Sequence, residues 1–156
     1  MSDFRTKRFP KAVVLELTYR CNHRCVFCSC PWEAPGSTYP KGEELSVEEW
    51  KRCIDILYQK GVKSFSISGG EVLLKDGFEE IIRYIREEGN QRGLSHPIVL
   101  ISNALLMKEE YLHFFKEMNV HLSMSLPGYQ TFHEHTGVDN AEGVLHWFRK
   151  ANELGL

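Results

Sequence analysis

Three thiols stand close together near the start of the chain, at Cys21, Cys25 and Cys28, separated by three and then two residues. Thiolates are the usual protein ligands of iron–sulfur iron, and one short loop with this spacing can wrap three corners of a cubane. A cluster held by only three protein ligands keeps one iron open to a reactant. A zinc site built from the same thiols with His23 or Cys30 satisfies the spacing equally, because zinc takes four sulfur or nitrogen ligands. Spacing alone leaves both open. A second group, Ser68-Gly69-Gly70-Glu71, reads on its own as no more than a turn.

The remaining composition narrows the setting. Four of the five cysteines fall between positions 21 and 30, too close to staple distant parts of a secreted chain, so a metal or redox site in a reducing compartment is expected. The 156 residues, 42% of them apolar, suit a single domain. A net charge of −2, with 19 basic and 21 acidic residues dispersed along the chain, offers no basic block for a nucleic acid or an anionic membrane. No run approaches the roughly 18 apolar residues of a membrane span, and the N-terminal stretch lacks the pattern of a signal peptide. The expected location is the cytoplasm.

The elements that must position these groups follow a repeating plan. Short β-type runs at Val13 to Thr18, Ser64 to Ser68, Ile98 to Ser102 and His121 to Leu126 alternate with helical stretches, the pattern of βα units on a parallel sheet. Ser46 and Glu49 form a capping box for the first helix, flanked by the staple pair Leu45 and Trp50, with Trp50, Cys53, Ile54 and Leu57 facing inward. Asp76 is the expected cap of the second, whose stripe is Phe78, Ile81, Ile82 and Ile85. The third runs from about Lys108 to Met118, and the fourth, from about Ala141, carries Ala141, Val144, Leu145 and Phe148 at the same spacing. In Ser64 to Ser68 and His121 to Leu126 the alternation puts hydroxyls on one face and large apolar groups on the other. The polar face either lines a concave interior or lies open to solvent. The turn-rich loop Pro31 to Glu44 follows the cysteines closely enough to cover them.

Taken together, Leu15-Glu16-Leu17-Thr18-Tyr19-Arg20-Cys21-Asn22, Cys25, Phe27 and Cys28, followed about forty residues later by a strand ending in Gly69-Gly70-Glu71, resemble the radical S-adenosylmethionine (SAM) superfamily. The resemblance implies a [4Fe–4S] cluster on Cys21, Cys25 and Cys28 whose open iron chelates SAM. Its reductive cleavage yields a 5′-deoxyadenosyl radical that abstracts hydrogen from a substrate. It further implies that Phe27 lies near the adenine, that Gly69, Gly70 and Glu71 hold the methionine amino group, and that Ser68, ending the strand before them, belongs to the same cofactor site. Glycine carbonyls and a carboxylate are suitable acceptors for an ammonium. Asn103 and Ser125 are the weaker correspondences, expected near SAM after the third and fourth strands. Ala104 replaces the glycine usual in relatives, which argues against a positive-φ turn, and Pro127 replaces an acidic residue.

The implied fold is α/β, a parallel partial TIM-type barrel with four βα units of an expected six. The whole of 1–156 is read as the core domain, with residues 12–126 carrying the motifs and the C-terminal part of the barrel missing or supplied by a partner. The lead-in and the Leu122 to His133 region are most similar to the branch of molybdenum-cofactor synthesis and peptide-modifying enzymes. The implied partners are SAM, a reductant such as flavodoxin or ferredoxin, and an unidentified substrate, with a peptide as the candidate class. A short activase of a glycyl-radical enzyme and a non-catalytic metal-binding fragment are the competing readings. Cys30 is read as a spectator thiol and Cys53 as a core residue; His96, His113, His133, His135 and His146 are given no role.

Overall fold

The computed structural model describes residues 9–28 and 42–156. Its core is a four-stranded parallel sheet, β1 (Ala12–Glu16), β2 (Ser64–Ser68), β3 (Ile98–Ser102) and β4 (Val120–Met124), in sequential order. Helices α1 (Val47–Gln59), α2 (Phe78–Gln91) and α3 (Glu109–Glu117) form the crossovers, a 3-10 turn (Val72–Leu74) follows β2, and α4 (Phe132–Thr136) and α5 (Ala141–Leu154) follow β4.

The register aligns one buried face across the sheet. Leu15 lies beside Ile67, Ile67 beside Leu100 and Leu100 beside Leu122, and the first three are buried with Ile54, Ile81, Ile82, Leu112 and Phe115 from the helices. The opposite face carries Val14, Ser66, Val99 and His121 in register, and Val14 remains 59% exposed. The polar alternation therefore belongs to a sheet face left bare by the helices, and only its C-terminal end, near Ser68, meets a cavity.

Several expected boundaries move. β1 and β4 each end two residues early, because beyond Glu16 and Met124 the chain leaves the ladder to form the site; single bonds from Leu17 N–H to Ser68 and from Ser125 N–H to Ser102 continue the path. The capping box at Ser46 and Glu49 is present. Asp76 does not cap α2: Gly77, at φ 76°, is the N-cap, and Asp76 pairs with Arg20 instead. Ala104 adopts φ 61° despite its side chain, held by its N–H on Ser102 Oγ at 3.0 Å. Cys53 is half-buried on α1 rather than within the core. Phe148, expected on the buried stripe of α5, is 50% exposed. It joins Leu122, Met124, Leu145 and Leu156 around a groove of about 400 Å³ beside β4, where no further strand is paired among the described residues. No helix is long and apolar enough to cross a membrane among the described residues.

Candidate cofactor site

A cavity of about 210 Å³ sits at the C-terminal ends of the strands, walled by the cysteine loop on one side and by the ends of β2, β3 and β4 on the other. This is where parallel βα units collect their functional loops. Every residue expected at the site lines it except Glu71, and Glu16, His23, Arg24, Ile101, Ser102 and Thr136 join them.

The cysteine loop is positioned by backbone contact with the glycines. Gly70 N–H donates to Thr18 O at 2.7 Å and Glu71 N–H to Arg20 O at 2.8 Å. At Gly69, φ is +147° and a side-chain carbon would fall 2.7 Å from Thr18 O. At Gly70 it would overlap the Arg20 carbonyl. Two βα loops thus meet main chain to main chain, an approach open only to residues without Cβ.

Glu71 is fully buried and turned away from the cavity. Its Oε1 accepts from Leu73 N–H at 3.1 Å and from Ser102 Oγ at 2.8 Å, and its Oε2 accepts from Asn103 N–H at 2.8 Å. Burial pushes its carboxyl above the ordinary value, and these three donors only partly counter it. The carboxylate ties the end of β2 to the turn after β3.

From the far side the loop is held by α4, an element the sequence patterns did not disclose. Arg24 N–H donates to Thr136 O at 2.8 Å and Val26 N–H to His135 O at 2.9 Å. The buried His23 ring meets Phe132 edge-on at 6.0 Å, and burial holds its imidazole below its usual pKa, hence neutral. Phe27, 55% exposed, meets the ring of His135 at 6.2 Å. Five residues are too short for a clear 3.6-residue period. The one available signal was Gly137, which closes the helix at φ 76°.

The three thiols feel one another. Burial, followed by the Cys21 and Cys28 thiols, raises the Cys25 pKa. Among the described residues no group of three His, Cys, Asp or Glu side chains is drawn together closely enough to hold a metal ion. Cys30 and most of the loop Pro31 to Glu44 lie outside the described residues.

Glu44, at the end of that loop, is a further residue the motifs did not reveal. Its Oε1 accepts from Thr18 Oγ1 at 2.6 Å and Tyr19 N–H at 2.9 Å, and its Oε2 lies 3.4 Å from the buried Lys75 Nζ, which donates to Leu45 O. Partial burial pushes its carboxyl up, but Thr18, Tyr19 and Lys75 outweigh burial and hold it below the ordinary value of 4.5. A carboxylate with a lowered folded-state pKa stabilises above its unfolded value and loses that contribution as pH falls through the folded one. Glu44→Gln should therefore flatten the stability curve below about pH 4.5, read as urea midpoints over an acid series. An unchanged acid limb would rule out this contribution.

Comparison with known proteins bears on the same residues. The family model of the Radical SAM superfamily matches residues 15–156. The chain is 39% identical over 97 residues to a PqqA peptide cyclase of Rhodopseudomonas palustris, covering 62% of this chain and 25% of that protein. It is 30% identical over 145 residues to a probable GTP 3′,8-cyclase of Methanococcus maripaludis, covering 91% and 46%. Streptococcus suis SuiB bound to S-adenosylmethionine superposes with a TM-score of 0.76 at 21% identity, over 95% of this chain and 32% of that one. The chain thus spans less than half the length of these proteins.

Proposed function

Because the chain belongs to the radical SAM superfamily, whose members among its relatives are enzymes, we propose that its cavity takes a [4Fe–4S] cluster on Cys21, Cys25 and Cys28 with SAM beside it. The observation that carries this reading is the arrangement of three thiols on one wall facing Gly69, Gly70 and Ser125 on the other. The donor set fits: all three ligands are sulfur, the class that iron–sulfur iron takes. His23 Nε2, buried on the loop at the cavity wall without a hydrogen-bond partner among the described residues, is a group that cluster sulfur would answer.

When bound, the cluster and SAM supply one-electron chemistry that generates a carbon radical. This chain's residues place and shield them. Carbonyls at Gly69 and Gly70 are the acceptors for the amino group, since the Glu71 carboxylate is already occupied by its three donors. Ser68 and Ser125 present hydroxyls to the same space, and Phe27 offers an aromatic face for the adenine. Neutral His23 and the buried Thr136 close the loop side against water. Across residues 1–156 we read one core domain, and a reductant of the flavodoxin or ferredoxin kind would deliver the electron. A peptide is the favoured substrate class, because relatives include a PqqA peptide cyclase and SuiB is also known bound to its precursor peptide SuiA.

Anaerobic reconstitution should give a brown protein with about four irons and four sulfides per chain, releasing 5′-deoxyadenosine from SAM under dithionite. Cys25→Ala should lose both properties. A colourless protein carrying a single zinc would sink the proposal, and a loaded chain that releases no 5′-deoxyadenosine would reduce it to a cluster-binding role.

A further inference from the structure

We propose that Asn103 raises the reduction potential of the cluster by donating a hydrogen bond to the Cys21 sulfur, an inference that rests on Cys21 being a cluster ligand. The side-chain amide of Asn103 is oriented by its neighbours. Its Oδ1 accepts from Leu105 N–H at 3.0 Å, while its backbone N–H is fixed on Glu71 Oε2 at 2.8 Å. Turning the amide over would leave the Leu105 N–H facing another donor. Nδ2 is thereby committed to the cysteine loop, where it donates to Asn22 Oδ1 at 2.7 Å and lies 3.9 Å from Cys21 Sγ. Two N–H groups meet two acceptors, and one acceptor is the ligand sulfur.

Hydrogen bonds to ligating sulfur are among the levers that set an iron–sulfur potential. A donor draws negative charge from the sulfur and so favours the reduced cluster, which carries one more electron. Asn103 acts through Cys21 and is a positioning residue in this respect, whatever else approaches it. The buried Glu71 carboxylate accepts from the Asn103 backbone, so Asn103 also links the end of β2 to the thiol wall.

The test is a potentiometric titration of the cluster-loaded full chain without SAM, followed by EPR of the reduced cluster, for the parent, Asn103→Ala, Asn103→Asp and Asn22→Ala. In Asn103→Ala the oxidised-to-reduced ratio at a fixed potential should rise about tenfold, a midpoint lower by about 59 mV for a one-electron couple. Asn103→Asp keeps an acceptor for Leu105 but sets a negative oxygen near the sulfur, so its midpoint should fall further. Asn22→Ala, which leaves the donor in place, should titrate close to the parent. Loaded Asn103 variants that titrate with the parent overturn the proposal; should the alanine variant not load, the aspartate variant decides it. A parent chain that takes up no cluster defeats the reading of the cysteines themselves, an outcome distinct from an unmoved midpoint.

Discussion

Gly70→Ala is expected to destabilise the chain by about 3 kcal/mol and to abolish the proposed cluster uptake, because its methyl group would make the closest approach of any added at a described glycine. The added carbon would overlap the Arg20 carbonyl oxygen and lie 2.7 Å from its carbon. Flexible side chains can yield to such an overlap; a carbonyl cannot, because moving it breaks the bond it accepts from Glu71 N–H. Arg20 immediately precedes Cys21, so the displacement passes directly to the first thiol. Gly93→Ala is the control: it meets nothing within 4 Å, and its φ of +68° costs only about 1 kcal/mol of left-handed strain. Urea midpoints and iron content measure both. A Gly70→Ala protein that matches the parent in both would refute the steric argument.

Glu71→Leu should cost about 3–6 kcal/mol, a large share of the roughly 5–15 kcal/mol that holds an ordinary domain together. Leucine fills a similar space but leaves the N–H groups of Leu73 and Asn103 and the hydroxyl of Ser102 without their acceptor. Each unsatisfied buried donor costs about 1–3 kcal/mol, less whatever relaxation recovers. Glu71→Gln keeps acceptor oxygen at one position and should be milder. The carboxylate also leaves a pH signature. With its folded-state value held above the ordinary 4.5, the folded chain binds a proton more readily than the unfolded one, so stability falls as pH rises through the interval between the two values. The slope has the opposite sign to that of Glu44, and Glu71→Gln should remove it. Leucine and glutamine variants of equal stability would show that the three contacts are not holding the turn.

What could be read from the sequence was whatever repeats or clusters. β2 and β3 were located to the residue, because Phe65 and Ile67, and Ile98 and Leu100, obey period two between clear turn signals. The stripe Phe78, Ile81, Ile82 and Ile85 is buried as its spacing indicates. The site was legible where motif and strand end coincide, which brings the thiols and the glycines to one cavity. Elements that owe their position to partners elsewhere left no such trace. α4 exists through its hydrogen bonds to Arg24 and Val26, and Glu44 through Thr18, Tyr19 and Lys75, all remote in the chain. Phe148 satisfied its helical period yet stays exposed, since periodicity names a face without supplying the surface to cover it. Glu71 was expected to reach toward an ammonium; residue type alone could not reveal that Leu73, Ser102 and Asn103 already claim its oxygens.

The tight backbone approach at Gly69 and Gly70 bears on ancestry as well as on chemistry. The space denied to a side chain there is taken by Thr18 and Arg20, parts of the protein itself. A descendant that had lost its thiols, and with them any catalytic role, would still have to keep both glycines and the buried carboxylate for its sheet and loops to assemble. Gly-Gly-Glu is therefore a marker of inherited architecture, and in a lineage containing lapsed members it would outlast the activity. Among the residues of this site it is the cysteines, whose sulfur the backbone approach at the glycines does not need, whose persistence would distinguish a working catalyst from a retired one.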